Sequence, residues 1–301
     1  MSVSVARGAS ASRAVATAAD YLALTKPRVV SLLVVTGVCG YLAGIAGHVE
    51  LSVLLAVVGG GALAAAGANA LNCAFDRDLD AVMARTRGRP LPGGRIPIVN
   101  AVVLGIAMNA AAALWLDRSA NLLAAGLALG GTAWYIVIYT VWLKRRSTQN
   151  IVIGGAAGCF PPLVGWAAAT GTLDATALTL AAVIFLWTPA HFWALATLLR
   201  DDYRRAGIPM LPAVVSVRRT ANQAFVYAVA AVAASLAPIL WGGAGLLYTA
   251  SAAGLGAVFI GRAETFRRNA DTRSARRLFR YSIAYLAALF VVLVVDRTIH
   301  A

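Results

Sequence analysis

Charge is scarce in this chain, and negative charge scarcest. Of its 301 residues only 13% are charged, and Asp and Glu together number 12. Soluble domains carry about a quarter charged residues, so a soluble globular fold is excluded. Cysteine is nearly absent. Cys39, Cys73 and Cys159 have no partners at CxxC or CxxCH spacing. That excludes a disulfide framework, a cysteine-held zinc and covalently attached haem, and the three read as small apolar fillers. Period-two alternation is missing, which argues against membrane-spanning strands. Residues 1–19 lack an apolar core and do not read as a secretory leader. Rich in Ala, Ser and Arg, they read as a disordered tail with a faint likeness to a mitochondrial presequence.

What remains is apolar: 60% of the chain is hydrophobic. Spanning a bilayer takes about 20 apolar residues. Runs of that kind cover 29–47, 51–73, 96–116, 119–143, 150–172, 176–199, 221–241, 244–261 and 278–296. An all-α polytopic membrane protein is expected, with about nine transmembrane helices in one bundle. Gly242, Gly243 and Gly245 mark the hairpin after the seventh span, and Arg280 intrudes on the ninth. The basic residues support the count. All but two of the 26, Arg118 and Arg297, fall on one side of a nine-span topology. The positive-inside rule puts that side, with the N-terminus, in the cytoplasm. The net charge of +14 then reflects topology. No soluble basic domain exists to bind nucleic acid, whereas anionic lipid and an anionic substrate suit such a surface.

Glycine and alanine crowd several spans, as in "GGGALAAAGANA" (59–70) and "GGAAG" (154–158). They read as close helix packing rather than a phosphate loop. Pro161–Pro162 should kink the fifth span. The long connections, 74–95 and 200–220, both lie on the basic side, where chemistry is expected.

That chemistry concentrates in "NALNCAFDRDLDAVMARTRGRP", residues 69–90. Read as helix over 69–83, Asn69, Asn72, Asp76 and Asp80 form one stripe, joined by Met83, while Asp78 faces away. Two carboxylates about 6 Å apart repel by roughly 3 kcal/mol at an effective dielectric near 20. When solvated the cost drops to tenths. The stripe is therefore either a salt-bridged helix end in water or a cavity lining that needs a cation. Carboxylate and amide oxygens one turn apart suit Mg²⁺, which leaves other positions to water and phosphate. Arg85 and Arg89 follow, and guanidiniums grip phosphate through paired hydrogen bonds. Together they suggest a pyrophosphate site. Lys144, Arg145 and Arg146 end the fourth span. Asp201 and Asp202, with Arg204 and Arg205, follow the sixth. His191 lies within that sixth span, as a functional group or a packing histidine.

At these residues the sequence resembles the UbiA superfamily of intramembrane prenyltransferases, through Asn72-x₃-Asp76-x₃-Asp80. It resembles the haem-directed branch through "LTKPR" (24–28), "MARTRGRPL" (83–91), "NIVIGGAAGCFPPLVGWAA" (150–168), "HFWAL" (191–195) and "DYRRAGIPMLP" (202–212). The resemblance implies one domain over 20–301, its helices ringing a central cavity capped by two cytoplasmic loops. It implies farnesyl transfer from farnesyl diphosphate to a vinyl group of haem b, with water added, giving haem O and pyrophosphate. Haem b is then a substrate, Mg²⁺ the cofactor, and a haem A synthase the downstream partner. The implied location is a bacterial inner membrane. Asp76 and Asp80, with Asn72, would hold Mg²⁺ and diphosphate. Arg85, Arg89 and Lys144 would stabilise the leaving pyrophosphate, with Arg145 beside them. Asp202 would be a further metal-binding acid. Asn69 and His191 match positions of the haem branch, where His191 would ligate or orient haem.

Two departures stand out. The superfamily often has a second acid pair spaced four apart after the sixth span, but Asp201 and Asp202 are followed there by Arg205 and Ala206. Ala190 replaces a proline frequent before the histidine. Rival readings are an acceptor that is a quinone precursor or chlorin, and a transporter or non-catalytic haem carrier. Transport is disfavoured because the acids cluster at one membrane face instead of the midplane.

Overall fold

The computed structural model describes residues 17–45 and 48–300. Nine helices among the described residues are long and apolar enough to cross a membrane. They are α1 (Pro27–Gly44), α2 (Leu51–Phe75), α3 (Ile98–Ser119), α4 (Leu122–Leu143), α5 (Asn150–Thr170), α6 (Ala175–Leu198), α7 (Val217–Trp241), α8 (Leu246–Asn269) and α9 (Thr272–Ile299). Every expected span is present. The last two are longer than their apolar runs, because arginine-rich turns continue the helices beyond the oily core. The hairpin between α7 and α8 turns at Gly242, whose φ of 72° favours glycine. Most of the tail expected over 1–19 lies outside the described residues; 17–19 begin a short helix over 17–25.

Each span packs on the next, and α9 returns to touch α6 and α1, which closes the ring. α5 reaches across to α1. That contact is backbone to backbone. A Cβ on Gly165 would run into the Gly37 carbonyl, and one on Gly40 into Pro162. Lipid offers helices no hydrophobic drive to associate, so close packing through small residues does that work. The three cysteines are free and buried.

Three spans depart from α geometry, α7 only in its last turn, a 3₁₀ stretch over Ala237–Trp241. α5 is broken by a 3₁₀ turn over Gly155–Cys159. The expected proline kink therefore lies just before the prolines. The ring of Pro161 or Pro162 clashes with the carbonyl four residues back, which is Ala157 or Gly158. In α4 the second half, Trp134–Leu143, winds as a π-helix. The Lys144 amide donates to the Tyr139 carbonyl at 2.8 Å, five residues back.

The expected helix over 69–83 is not continuous. It breaks at Asp76, at φ −94° and ψ 5°, and restarts as Arg77–Val82. The stripe survives the break. The Asp76 amide still donates to Asn72 O at 2.9 Å and the Asp80 amide to Asp76 O at 2.8 Å.

Both long connections pack on each other at the basic end. Leu79 and Met83 of the first meet Tyr203, Ile208 and Met210 of the second, over Ile151 and Ala196. Leu91 and Ile96 anchor the first connection on Leu24, Ala70, Cys73 and Ala101. Each such apolar side chain buried contributes about 2 kcal/mol, so the cap is a packed layer and not a pair of loose loops.

Candidate active site

The acidic stripe lies beneath this cap, out of water. Asn69, Asn72, Asp76 and Asp80 are only 2–4% exposed. The stripe is thus neither a helix end in water nor, apart from Asn69, a cavity lining: it is buried and salt-bridged, and cations offset its cost. Lys144, at the end of the π-helical turn, pairs with Asp76 Oδ2. Arg89 Nη1 lies 2.7 Å from Asp80 Oδ2. Lys26 Nζ donates to Asn72 Oδ1 at 2.8 Å.

Lys26 joins the helix over 17–25 to α1 and takes a left-handed conformation, φ 51° and ψ 64°. That region is unfavourable for a side-chain-bearing residue and worse before proline, as here. The strained turn aims its ammonium inward. Burial pushes that ammonium below the usual lysine range. A lysine can only donate, so the Asn72 oxygen faces Lys26 and the Asn72 Nδ2 faces the acids. Nδ2 donates to Asp76 Oδ2 at 2.8 Å and to Thr140 Oγ1 at 3.0 Å. Thr140 in turn donates to Tyr135 O, five residues back along the π-helix.

One oxygen is left over: Asp76 Oδ1 is buried without a hydrogen-bond partner. Such a carboxylate oxygen needs an explanation, and a cation supplies one. The residues present fit Mg²⁺. Asp76 Oδ1 and the Asp80 carboxylate are hard oxygen donors, and Mg²⁺ usually takes one or two carboxylates. No three His, Cys, Asp or Glu side chains among the described residues converge on one point. The remaining ligands would be water and phosphate oxygens. The Asn72 oxygen would join them only after Lys26 moves away.

Inward from the acids lies an apolar cavity of about 390 Å³, between α1, α2, α4, α5 and α6. Asn69 lines it, its Nδ2 held by Thr25 O at 3.2 Å. Tyr135 and Tyr139 also face it, their rings stacked 5.7 Å apart.

The other expected residues are neither bonded to the stripe nor part of this cavity's lining. Arg85 is exposed. Asp202 pairs with Arg205. Both act electrostatically on Tyr203 of the cap, whose phenol burial pushes up to about 12. Arg145 is engaged elsewhere, with two 2.6 Å bonds to Asp78 and one of 2.9 Å to Phe75 O. Those bonds hold the Asp78 carboxyl below the usual range. Asp78, set aside on helical geometry, thus ties the end of α4 to the end of α2.

His191 sits half-buried between α6 and α9, stacked on Trp187 at 4.2 Å and beside Phe279 at 4.9 Å. Its Nδ1 lies 2.7 Å from Ser282 Oγ. The Ser282 hydroxyl already donates to Phe279 O at 2.7 Å. Ser282 must therefore accept from Nδ1–H, and Nε2 keeps its lone pair.

Lys26 and Thr140 are the contributors that the sequence-derived set omits. Lys26 stood in "LTKPR", counted as topogenic charge. Thr140 gave no signal, because only the π-helical register turns it toward Asn72.

A ring of membrane helices with a charged cluster over an apolar chamber defines a class: polytopic membrane proteins with an intramembrane pocket. The chain belongs to the UbiA prenyltransferase family, whose model matches residues 33–289. A Roseiflexus sp. protein named protoheme IX farnesyltransferase is 48% identical over 282 residues, covering 94% of this chain and 53% of that one. A Thermus thermophilus protein of that name is 49% identical over 284 residues, covering 94% and 47%. The chain spans about half the length of these two relatives. A Nostoc sp. protein, also so named, is 48% identical over 279 residues, covering 92% and 88%. Among solved structures, a digeranylgeranylglyceryl phosphate synthase superposes with TM-score 0.79 at 18% identity, covering 94% and 99%. A UbiA homologue from Archaeoglobus fulgidus, bound to GPP and Mg²⁺, gives 0.67 at 16%, covering 91% and 99%. At such identities these two establish the fold.

Proposed function

We propose that the protein transfers the farnesyl group of farnesyl diphosphate to a vinyl group of haem b, with water added, giving haem O and pyrophosphate. The observation that carries the transfer is the unpartnered, buried Oδ1 of Asp76, set among Asp80, Lys144, Lys26 and Arg89 at the mouth of an apolar cavity. The names of the 47–49% identical relatives support haem as acceptor.

Mg²⁺ held by Asp76 and Asp80 would neutralise charge on the departing diphosphate. Lys144 and Arg89 turn their donors from the acids, and Lys26 turns its own from the Asn72 oxygen, to the phosphate oxygens as that charge grows. Arg85 joins them from the cap. The carbon–oxygen bond breaks, and its electron pair leaves with pyrophosphate. The apolar chamber keeps water from the allylic cation, and the faces of Tyr135 and Tyr139 stabilise it. The terminal vinyl carbon of haem then bonds to the farnesyl C1. Water adds to the neighbouring carbon and loses a proton, which balances the reaction. His191 orients haem through the Nε2 lone pair that Ser282 leaves available, the arrangement of a ligating histidine with a supported second nitrogen.

The charge asymmetry supports an orientation with the cap and N-terminus in the cytoplasm of a bacterium, the chain spanning its inner membrane among anionic lipids. Haem O then passes to a haem A synthase and terminal oxidases. Mass spectrometry tests the reading. Membranes given haem b, farnesyl diphosphate and Mg²⁺ should yield haem heavier by one hydroxyethylfarnesyl change. Prenylation of a quinone precursor or chlorin instead, with haem untouched, would overturn the acceptor.

A further inference from the structure

We infer that Gly61 sets the length of the prenyl chain the cavity accepts, admitting a third isoprene unit that any larger side chain there would exclude. The inference rests on the reading of the cavity as the prenyl chamber. Six glycines line it: Gly37, Gly61, Gly131, Gly154, Gly155 and Gly158. Four are crowded. An added Cβ would sit 3.3 Å from Pro161 O at position 37, 2.8 Å from Phe160 Cβ at 131 and 2.6 Å from Thr188 Cγ2 at 155. At 154 it would enter the Tyr139 ring, whereas at 158 it would rest in ordinary contact with Ile184 Cγ2 at 3.4 Å. At Gly61 it would meet nothing within 4 Å.

Gly61 is mid-helix, and its φ is not in the left-handed region. Neither packing nor backbone conformation requires a glycine, and glycine weakens a helix relative to alanine. What the missing side chain provides is space, and that space belongs to the cavity. Val57, Gly61, Ala64, Ala65 and Ala68 all line it, one helical stripe below Asn69.

Depth along α2 locates Gly61 against the ligand. At about 1.5 Å of rise per residue, Gly61 lies about 12 Å below Asn69 and Val57 about 18 Å. With carbon–carbon bonds of about 1.5 Å, an extended isoprene unit is about 5 Å long. With the prenyl C1 taken at the level of Asn69, the polar residue bordering the cavity, two units end above Gly61, three pass it, and a fourth would reach Val57. Val57 is buried at 2% exposure. There α1, α2 and α5 converge, since a Cβ on Gly37 would be 3.8 Å from Val57 Cγ1 and 3.3 Å from Pro161 O. The lining stripe on α2 thus narrows at Val57, the depth a fourth unit would reach, and has one open position at the level of the third.

The test is a graded series, Gly61→Ala, Val, Leu and Phe, in the purified full-length protein. Calorimetry with Mg²⁺ measures the Kd of geranyl and of farnesyl diphosphate, which needs no acceptor. Product formation with haem b is measured in parallel. The farnesyl preference should fall stepwise with side-chain size, by at least 100-fold in Gly61→Phe, while geranyl binding stays within tenfold of wild type. The ratio is internal to each variant, so general damage to the fold cancels. An unchanged ratio across the series, or parallel loss of both ligands, would overturn the proposal. A shifted ratio in a protein that never farnesylates haem would sink the acceptor assignment and leave Gly61 as the length determinant.

Discussion

Replacing Asp76 with asparagine changes one charge and almost no volume. In the native site Oδ2 takes Lys144 and the Asn72 amide, while Oδ1 has no partner. Asparagine keeps one acceptor for those two donors and puts a weak ligand or an NH₂ where Oδ1 was. A unit charge about 4 Å from a cation is worth about 4 kcal/mol at an effective dielectric near 20. At 1.36 kcal/mol per decade, its loss from the transition state is about a thousandfold in kcat/KM. The nine spans do not depend on this charge, and the variant should insert and run as a monodisperse species in detergent. The assay is the rate of farnesylated haem formation by mass spectrometry across a Mg²⁺ titration. Turnover within tenfold of wild type, or wild-type turnover that survives chelation, would refute the role given to Asp76.

Four further outcomes are expected. Asp78→Asn lies on the same short helix, but its pair with Arg145 is exposed at 65% and 38%, so stability should change by about 1 kcal/mol or less and turnover a few-fold at most. The Arg145 bonds lower the folded pKa of Asp78, so this small stabilisation is present above the usual carboxylate value and lost as pH falls through the lowered one; an acid titration of stability should show it in wild type and not in the variant. Lys26→Met should weaken inorganic pyrophosphate binding about 10–100-fold, the worth of a hydrogen bond to a charged group, with the thermal midpoint little changed. Gly165→Ala should cost about 3 kcal/mol, seen as a lowered thermal midpoint, because the new methyl meets the Gly37 carbonyl. Ser282→Ala should reduce haem affinity about 10–100-fold in a Soret titration, and an unchanged affinity would make His191 a packing residue.

The nine spans were legible because a bilayer demands charge-free length, a property that survives without knowing any contact. The stripe of Asn69, Asn72, Asp76 and Asp80 was legible because 3-4-4 spacing needs only one helix to make it a face, and the bend at Asp76 was mild enough to preserve it. What could not be read depended on distant partners. Lys26 meets Asn72 across 46 positions, and Asn72 meets Thr140 across 68. Helical geometry correctly turned Asp78 away from the stripe, yet nothing local said that Arg145 would be waiting there. The open space beside Gly61 was hidden among glycines that looked alike in sequence and serve packing in the fold.

The π-helical turn over Trp134–Leu143 separates two things that usually travel together in a membrane span: how oily a segment is, and which way its residues face. Deleting any single residue from "WYIVIYTVWL" would leave its hydropathy and its span nearly intact. Yet it would turn Lys144 by about 80° around the axis of the π-helix, away from Asp76. The wide turn works as a clutch between anchoring and catalysis, so this stretch can tolerate many apolar substitutions but no change of length.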